Sequence, residues 1–185
     1  LHLLSRRQRQ MCIRDRMQTI QRAQTQSFTE LRTYITAALF ATANIVFPQL
    51  CHLAALGGPT WLPIYFFTLI GSYRYGWRVG LLIALASPTV NSMLFGMPSM
   101  HVLPPILLKS ILLAFSAALI GQRWHIASLL SVGFTVIVYQ TLGSIGEWAM
   151  TGSLTTALQD VKIGLPGIFL QIFGGWAILK LWRND

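Results

Sequence analysis

The chain has 185 residues, of which 54% are hydrophobic and only 10% charged, against about 25% charged in ordinary soluble domains. That balance excludes a conventional soluble protein and points to one compact integral membrane domain. A formal charge of +9 invites a nucleic-acid reading, but from Met17 onward nine basic residues face four acidic ones, spread thinly over short loops. No basic stripe exists, so no nucleic-acid partner is expected.

Residues 1–16 differ in character from the rest of the chain. They hold Arg6, Arg7, Arg9, Arg14 and Arg16, and the run from Arg9 to Arg16 resembles translated sequencing-adapter sequence. The expectation is a non-native lead over 1–16, a cytoplasmic N-terminal segment over 17–30 and a membrane domain over 31–185. The two cysteines, Cys12 and Cys51, allow neither a disulfide framework nor a Cys-x-x-Cys metal site.

A spanning helix needs about 20 apolar residues to cross roughly 30 Å of hydrocarbon. The first such run extends from about Leu31 to Pro48, where Thr33, Ala37 and Ala41 form a row of small side chains every four residues. Such a row lets another helix approach closely, either in the protein's own bundle or on a partner. An outer connection over Gln49–Pro59 with His52 and Gly57-Gly58 leads to a short, aromatic second span from about Thr60 to Tyr73. Trp61 lies at its start, as an interfacial anchor or a stacking surface.

Arg74 and Arg78 follow, then a third span to about Phe95 that opens on the Gly76/Gly80 pair and carries a kink signal at Ser87-Pro88. Gly96-Met97-Pro98 turns the chain into a fourth span over Val102–Ile120, with His101 at its mouth. The fifth span is read from about Trp124 to Gly146, followed by a polar connection from Glu147 to Asp160 and a sixth span from about Ile163 to Trp182. The fold class is therefore all-α: a compact bundle of six transmembrane helices. Arg22, Arg32, Arg74, Arg78, Arg123, Lys180 and Arg183 share one side, against Lys162 on the other, so both termini are expected in the cytoplasm of a cell whose inner membrane holds the chain.

Lys109 lies eight residues inside His101, roughly 12 Å below the outer surface at about 1.5 Å of rise per residue, too deep for its stem to reach either headgroup layer. Asn44, Asn91, Gln140 and Gln171 come to similar depths, roughly 6 to 14 Å, on four other spans. Together they describe a polar pocket open to the outside. Each amide has an alternative role as an interhelical hydrogen bond, and Lys109 has one as a structural ion pair with Glu147. No catalytic constellation is present. Ser144 in Leu-Gly-Ser-Ile-Gly has no histidine after it, and there is no His-Glu-x-x-His or Walker motif, so neither an enzyme nor a bound cofactor or metal is expected.

The six short spans, the Thr33/Ala37/Ala41 row, Trp61-Leu62-Pro63, Leu69-Ile70-Gly71 before Tyr75-Gly76, Ser87-Pro88, and Gly96-Met97-Pro98 before Pro104-Pro105 together resemble the substrate-binding S component of energy-coupling factor vitamin transporters. The likeness covers about Leu31 to Trp182. It implies capture of a vitamin or its precursor at the outer face, with a transmembrane coupling subunit and two ATPase subunits as partners. The first-span row would be the dock, and the first outer loop with the outer parts of later spans the ligand site. That family often carries an acidic residue on the fourth span. Here the position brings Lys109, which favours an anionic group on the substrate. A small structural six-span protein of the cell-shape type and a stand-alone carrier are the alternatives.

Overall fold

In lipid every backbone polar group must be satisfied within the chain, which leaves the helix as the natural element for apolar runs of this length. The computed structural model describes residues 26–53, 63–124 and 127–182, and these are helical throughout their ordered elements, with no strand among them. The expected lead over 1–16, most of the 17–30 segment and Trp61 lie outside the described residues.

Helix α1 (Leu31–Leu53) runs on through Pro48, five residues beyond the boundary read from the sequence. After a 3-10 turn at Pro63–Tyr65 comes α2 (Phe66–Tyr75), then α3 (Trp77–Phe95), α4 (Leu103–Arg123) and α5 (Leu129–Thr151). Two short helices, α6 (Leu154–Ala157) and α7 (Gln159–Ile163), lead into a final run: α8 (Leu165–Phe169), a π-helical segment (Leu170–Gly174) and α9 (Gly175–Leu181).

The sequence explains most boundaries. Gly96, at φ 66°, and Gly152, at φ 68°, end α3 and α5 in the left-handed conformation that glycine adopts without penalty. Ser128 and Ser131 cap α5 reciprocally, each side chain accepting from the other's backbone N–H. Pro104 and Pro105 occupy the first turn of α4, where their missing donors cost nothing. The peptide bond between Met97 and Pro98 is cis.

Among the described residues four helices, α1, α3, α4 and α5, are long and apolar enough to cross a membrane. Taking α6–α7 with α8–α9 as one broken span, bent by 60°, makes five. Thr60 to Leu62 of the second expected span lie outside the described residues; the described part, from Pro63 on, is the 3-10 turn and the ten-residue α2, which is wedged among α1, α3 and α4 with Leu69, Ile70 and Tyr73 buried. Its burial rests on close approach by small residues. A Cβ on Gly80 would lie 2.7 Å from the Ser72 Cβ and 3.2 Å from that of Ala114. Gly80→Val is therefore expected to lower stability by about 1–3 kcal/mol, measured by thermal unfolding in detergent, because neither neighbour is a flexible side chain.

The bundle has an apolar core around Leu69, Ile83 and Leu113, yet its outer surface is apolar as well. Leu39, Leu130 and Leu181 project outward from the bundle, while Asn44, Lys109 and Gln171 are fully buried. The helices alternate in direction. Gln26 N–H bonds to the Tyr75 carbonyl, the Tyr73 hydroxyl meets Ser131, and Trp182 stacks on Phe40. Arg32, Arg74, Arg78, Arg123 and Lys180 accordingly stand toward one end of the bundle, called here the basic end.

Candidate functional site

Toward the far end, buried polar side chains tie the helices together in separate groups. Asn44 on α1 donates through Nδ2 to Thr68 Oγ1 at 2.8 Å and to Ser87 Oγ at 3.3 Å, and its Oδ1 accepts from the Phe67 N–H at 3.1 Å. One side chain thereby joins α1, α2 and α3. Nearer the helix end, Gln49 donates to Asn91 Oδ1 at 3.2 Å. Both residues expected in the pocket from this side of the bundle, Asn44 and Asn91, thus have protein partners.

Across the bundle, Lys109 on α4 donates to the Glu147 carboxylate on α5 at 2.5 Å, with side-chain exposures of 1% and 8%. Two desolvated charges in apolar surroundings are tolerable only when paired in this way. Glu147 corrects the expected connection: α5 continues five residues past Gly146 to Thr151, so Glu147 is a buried helical residue and not part of an outer loop. Gly143, one turn before Glu147, lets the lysine stem pass, since a Cβ there would lie 2.6 Å from Lys109 Cγ.

The third group lies between α5 and the last helical run. The Tyr139 hydroxyl donates to Gln171 Oε1 at 2.7 Å, and the Tyr139 ring packs 5.8 Å from that of Tyr65. Gln171 lies within the π-helical segment, a departure from α geometry that is frequent at functional sites.

Several buried polar atoms near these groups have no hydrogen-bond partner among the described residues: both carboxamide atoms of Gln140, Gln171 Nε2, Ser110 Oγ and Ser144 Oγ. An unmet buried polar group costs about 1–3 kcal/mol. Gln140 and Ser144 also line a cavity of about 380 Å³ between α5 and the α6–α8 region, together with Val136, Trp148, Leu154 and Ile168.

His101 is exposed in the turn before α4. The Thr33/Ala37/Ala41 row does not form an outward-facing dock: all three residues are buried against the protein's own helices, and Phe40 between them packs on Phe67, Tyr75 and Trp182. The outward side of α1 carries Ile35, Leu39 and Val46. Sequence reasoning passed over Tyr139, Thr68 and Ser87 as site or network residues. A usable signal was their position one or two helical turns from an amide or beside one, as in the Tyr139-Gln140 pair. No group of three or more His, Cys, Asp or Glu side chains capable of holding a metal ion occurs among the described residues.

By helix length and apolar character, the class is that of a helical membrane protein. Comparison with protein families, with characterised proteins and with solved structures finds no match to this chain.

Proposed function

We propose that the chain is the membrane-embedded capture subunit of a vitamin-type importer of the energy-coupling factor kind, with six membrane segments, in a bacterial inner membrane. The observation that carries the reading is the set of buried polar atoms on α4, α5 and the π-helical segment that have no hydrogen-bond partner among the described residues. In an apolar bundle such atoms are costly, and a bound small molecule would repay that cost by hydrogen bonding to them. The basic end supports an orientation with both termini in the cytoplasm, placing the polar groups in the outer half. With no nucleotide-binding motif in the chain, energy would come from partner ATPases acting through a transmembrane coupling subunit. Since the Thr33/Ala37/Ala41 row is covered, docking by that row would require α1 to move away from its neighbours.

Native mass spectrometry of the full chain purified in mild detergent, with pull-down of associated subunits, tests this reading. A retained small molecule and co-purifying ATPase subunits are expected. Absence of both would instead favour a structural membrane protein. That second reading draws on the inward-packed Thr33/Ala37/Ala41 row and the Lys109–Glu147 pair, both of which serve bundle architecture.

A further inference from the structure

The cavity of about 380 Å³ beside α5 is a groove on the outward side of the bundle. Val136, Ile137, Ile145, Trp148, Leu158 and Ile168 give it an apolar wall. Gln140 and Ser144 add only carbon to that wall, because the carboxamide atoms of the one and the hydroxyl of the other are buried away from it. From Val136 to Trp148 the groove follows α5 for about 18 Å, at about 1.5 Å of rise per residue. One leaflet of a hydrocarbon core about 30 Å thick is about 15 Å deep. The groove therefore matches the depth of a single acyl layer, toward the end of α5 away from the basic end. A partner's spanning helix would need a seat along the whole of α5.

We infer that this groove holds one acyl chain of an anionic phospholipid whose phosphate rests at Lys162. Trp148, half exposed in the last turn of α5, stands where a headgroup layer meets the chain region, a preferred depth for indole. Leu158 and Val161 line the groove, and the Lys162 N–H bonds to the Leu158 carbonyl at 3.0 Å, which sets Lys162 at the rim. Lys162 is exposed. Among the described residues it is the one Lys or Arg away from the basic end, apart from the buried Lys109 held by Glu147. An ammonium near a membrane surface attracts anionic lipid. The groove itself offers water no polar partners, so an acyl chain fills it better than solvent does. Entry is sideways from the acyl layer, past Ile137 and Ile145 on the outward surface of α5. A lipid held in this way braces α5 against the α6–α8 passage, whether or not the bundle captures a substrate.

The test uses the full chain in phosphatidylcholine nanodiscs carrying increasing fractions of phosphatidylglycerol or phosphatidylcholine brominated on the acyl chains, since bromine quenches nearby indole fluorescence. The difference between the parent and Trp148→Phe isolates the Trp148 signal. That signal is expected to be quenched saturably, at a brominated fraction about fivefold lower for phosphatidylglycerol than for phosphatidylcholine. Lys162→Gln should bring the two lipids together, the effect of removing one cation at the membrane surface. Thr141→Phe, which fills the groove from its exposed wall, should abolish the saturable component while the variant stays monodisperse on size exclusion. Quenching that rises in proportion to the brominated fraction, as for lipid exchanging freely around the bundle, would overturn the inference. So would equal quenching by the two lipids in the parent, or a saturable component that survives Thr141→Phe. A Trp148 shielded from both lipids, with copies that crosslink through Ile137→Cys or with another polypeptide retained on the chain, would give the groove to a protein partner and overturn it as well.

Discussion

Lys109→Met and Glu147→Leu are each expected to lower stability by about 3–5 kcal/mol, and the double variant to recover most of that loss. The single substitutions leave a buried charge without its partner between α4 and α5, where surrounding side chains supply little solvation. The double substitution removes both charges and fills similar volume with apolar atoms, which in buried pairs is often neutral or better. Thermal unfolding of the purified protein in detergent, followed by retention on size exclusion, reads the effect. Single variants within about 1 kcal/mol of the parent would mean that water reaches the pair and that it behaves like an exposed ion pair. The same variants address the ligand: if an anionic group bound Lys109, Lys109→Met would abolish capture in the fraction that remains folded.

Asn44→Leu is expected to cost about 2–4 kcal/mol, the second-largest loss among these variants. The substitution deprives the Phe67 N–H, Thr68 hydroxyl and Ser87 hydroxyl of a common partner, and it places a larger apolar side chain where three helices converge. Asn91→Leu should cost clearly less, since its bond to Gln49 lies near the helix ends and is only partly buried. Equal losses from the two variants in the same unfolding assay would show that burial does not set the value of these amides.

Much of the architecture was legible because membrane helices follow from apolar length alone. The limits of α3 and α4 fall within a few residues of those read from Gly76/Gly80, Gly96-Met97-Pro98 and Gly121-Gln122-Arg123. The errors have a common cause. Charge and proline were taken as stop signals, so α5 was ended before Glu147 and α1 at Pro48, although a paired carboxylate continues a helix and a proline near a helix end can be accommodated. The broken passage from Leu154 to Leu165 does carry local signals: Ser153 caps α6, and Gly164 with Pro166 in the first turn opens α8.

For the site, depth was readable and azimuth was not. Counting residues placed Asn44, Asn91, Lys109, Gln140 and Gln171 in one half of the bundle. Which face each presents determines its role: Asn44 and Asn91 bond within the α1–α3 side, Lys109 turns to Glu147, and only Gln140 among them lines the described cavity. The small-residue row on α1 shows the same limit, because spacing reveals a groove but not which neighbour fills it.

The shortness of α2 bears on biogenesis. At ten residues it extends about 15 Å, half the hydrocarbon thickness, and its burial leaves it few surfaces for acyl chains. Insertion machinery that admits segments by apolar length would retain α1 and α3 readily but hold α2 poorly by itself. Its final seat includes the Tyr73 carbonyl against Gly121 of α4 and the Tyr73 hydroxyl against Ser131 of α5, both encoded downstream. Consolidation of α2 is thus a late event, completed only after the ribosome has delivered the helices that enclose it.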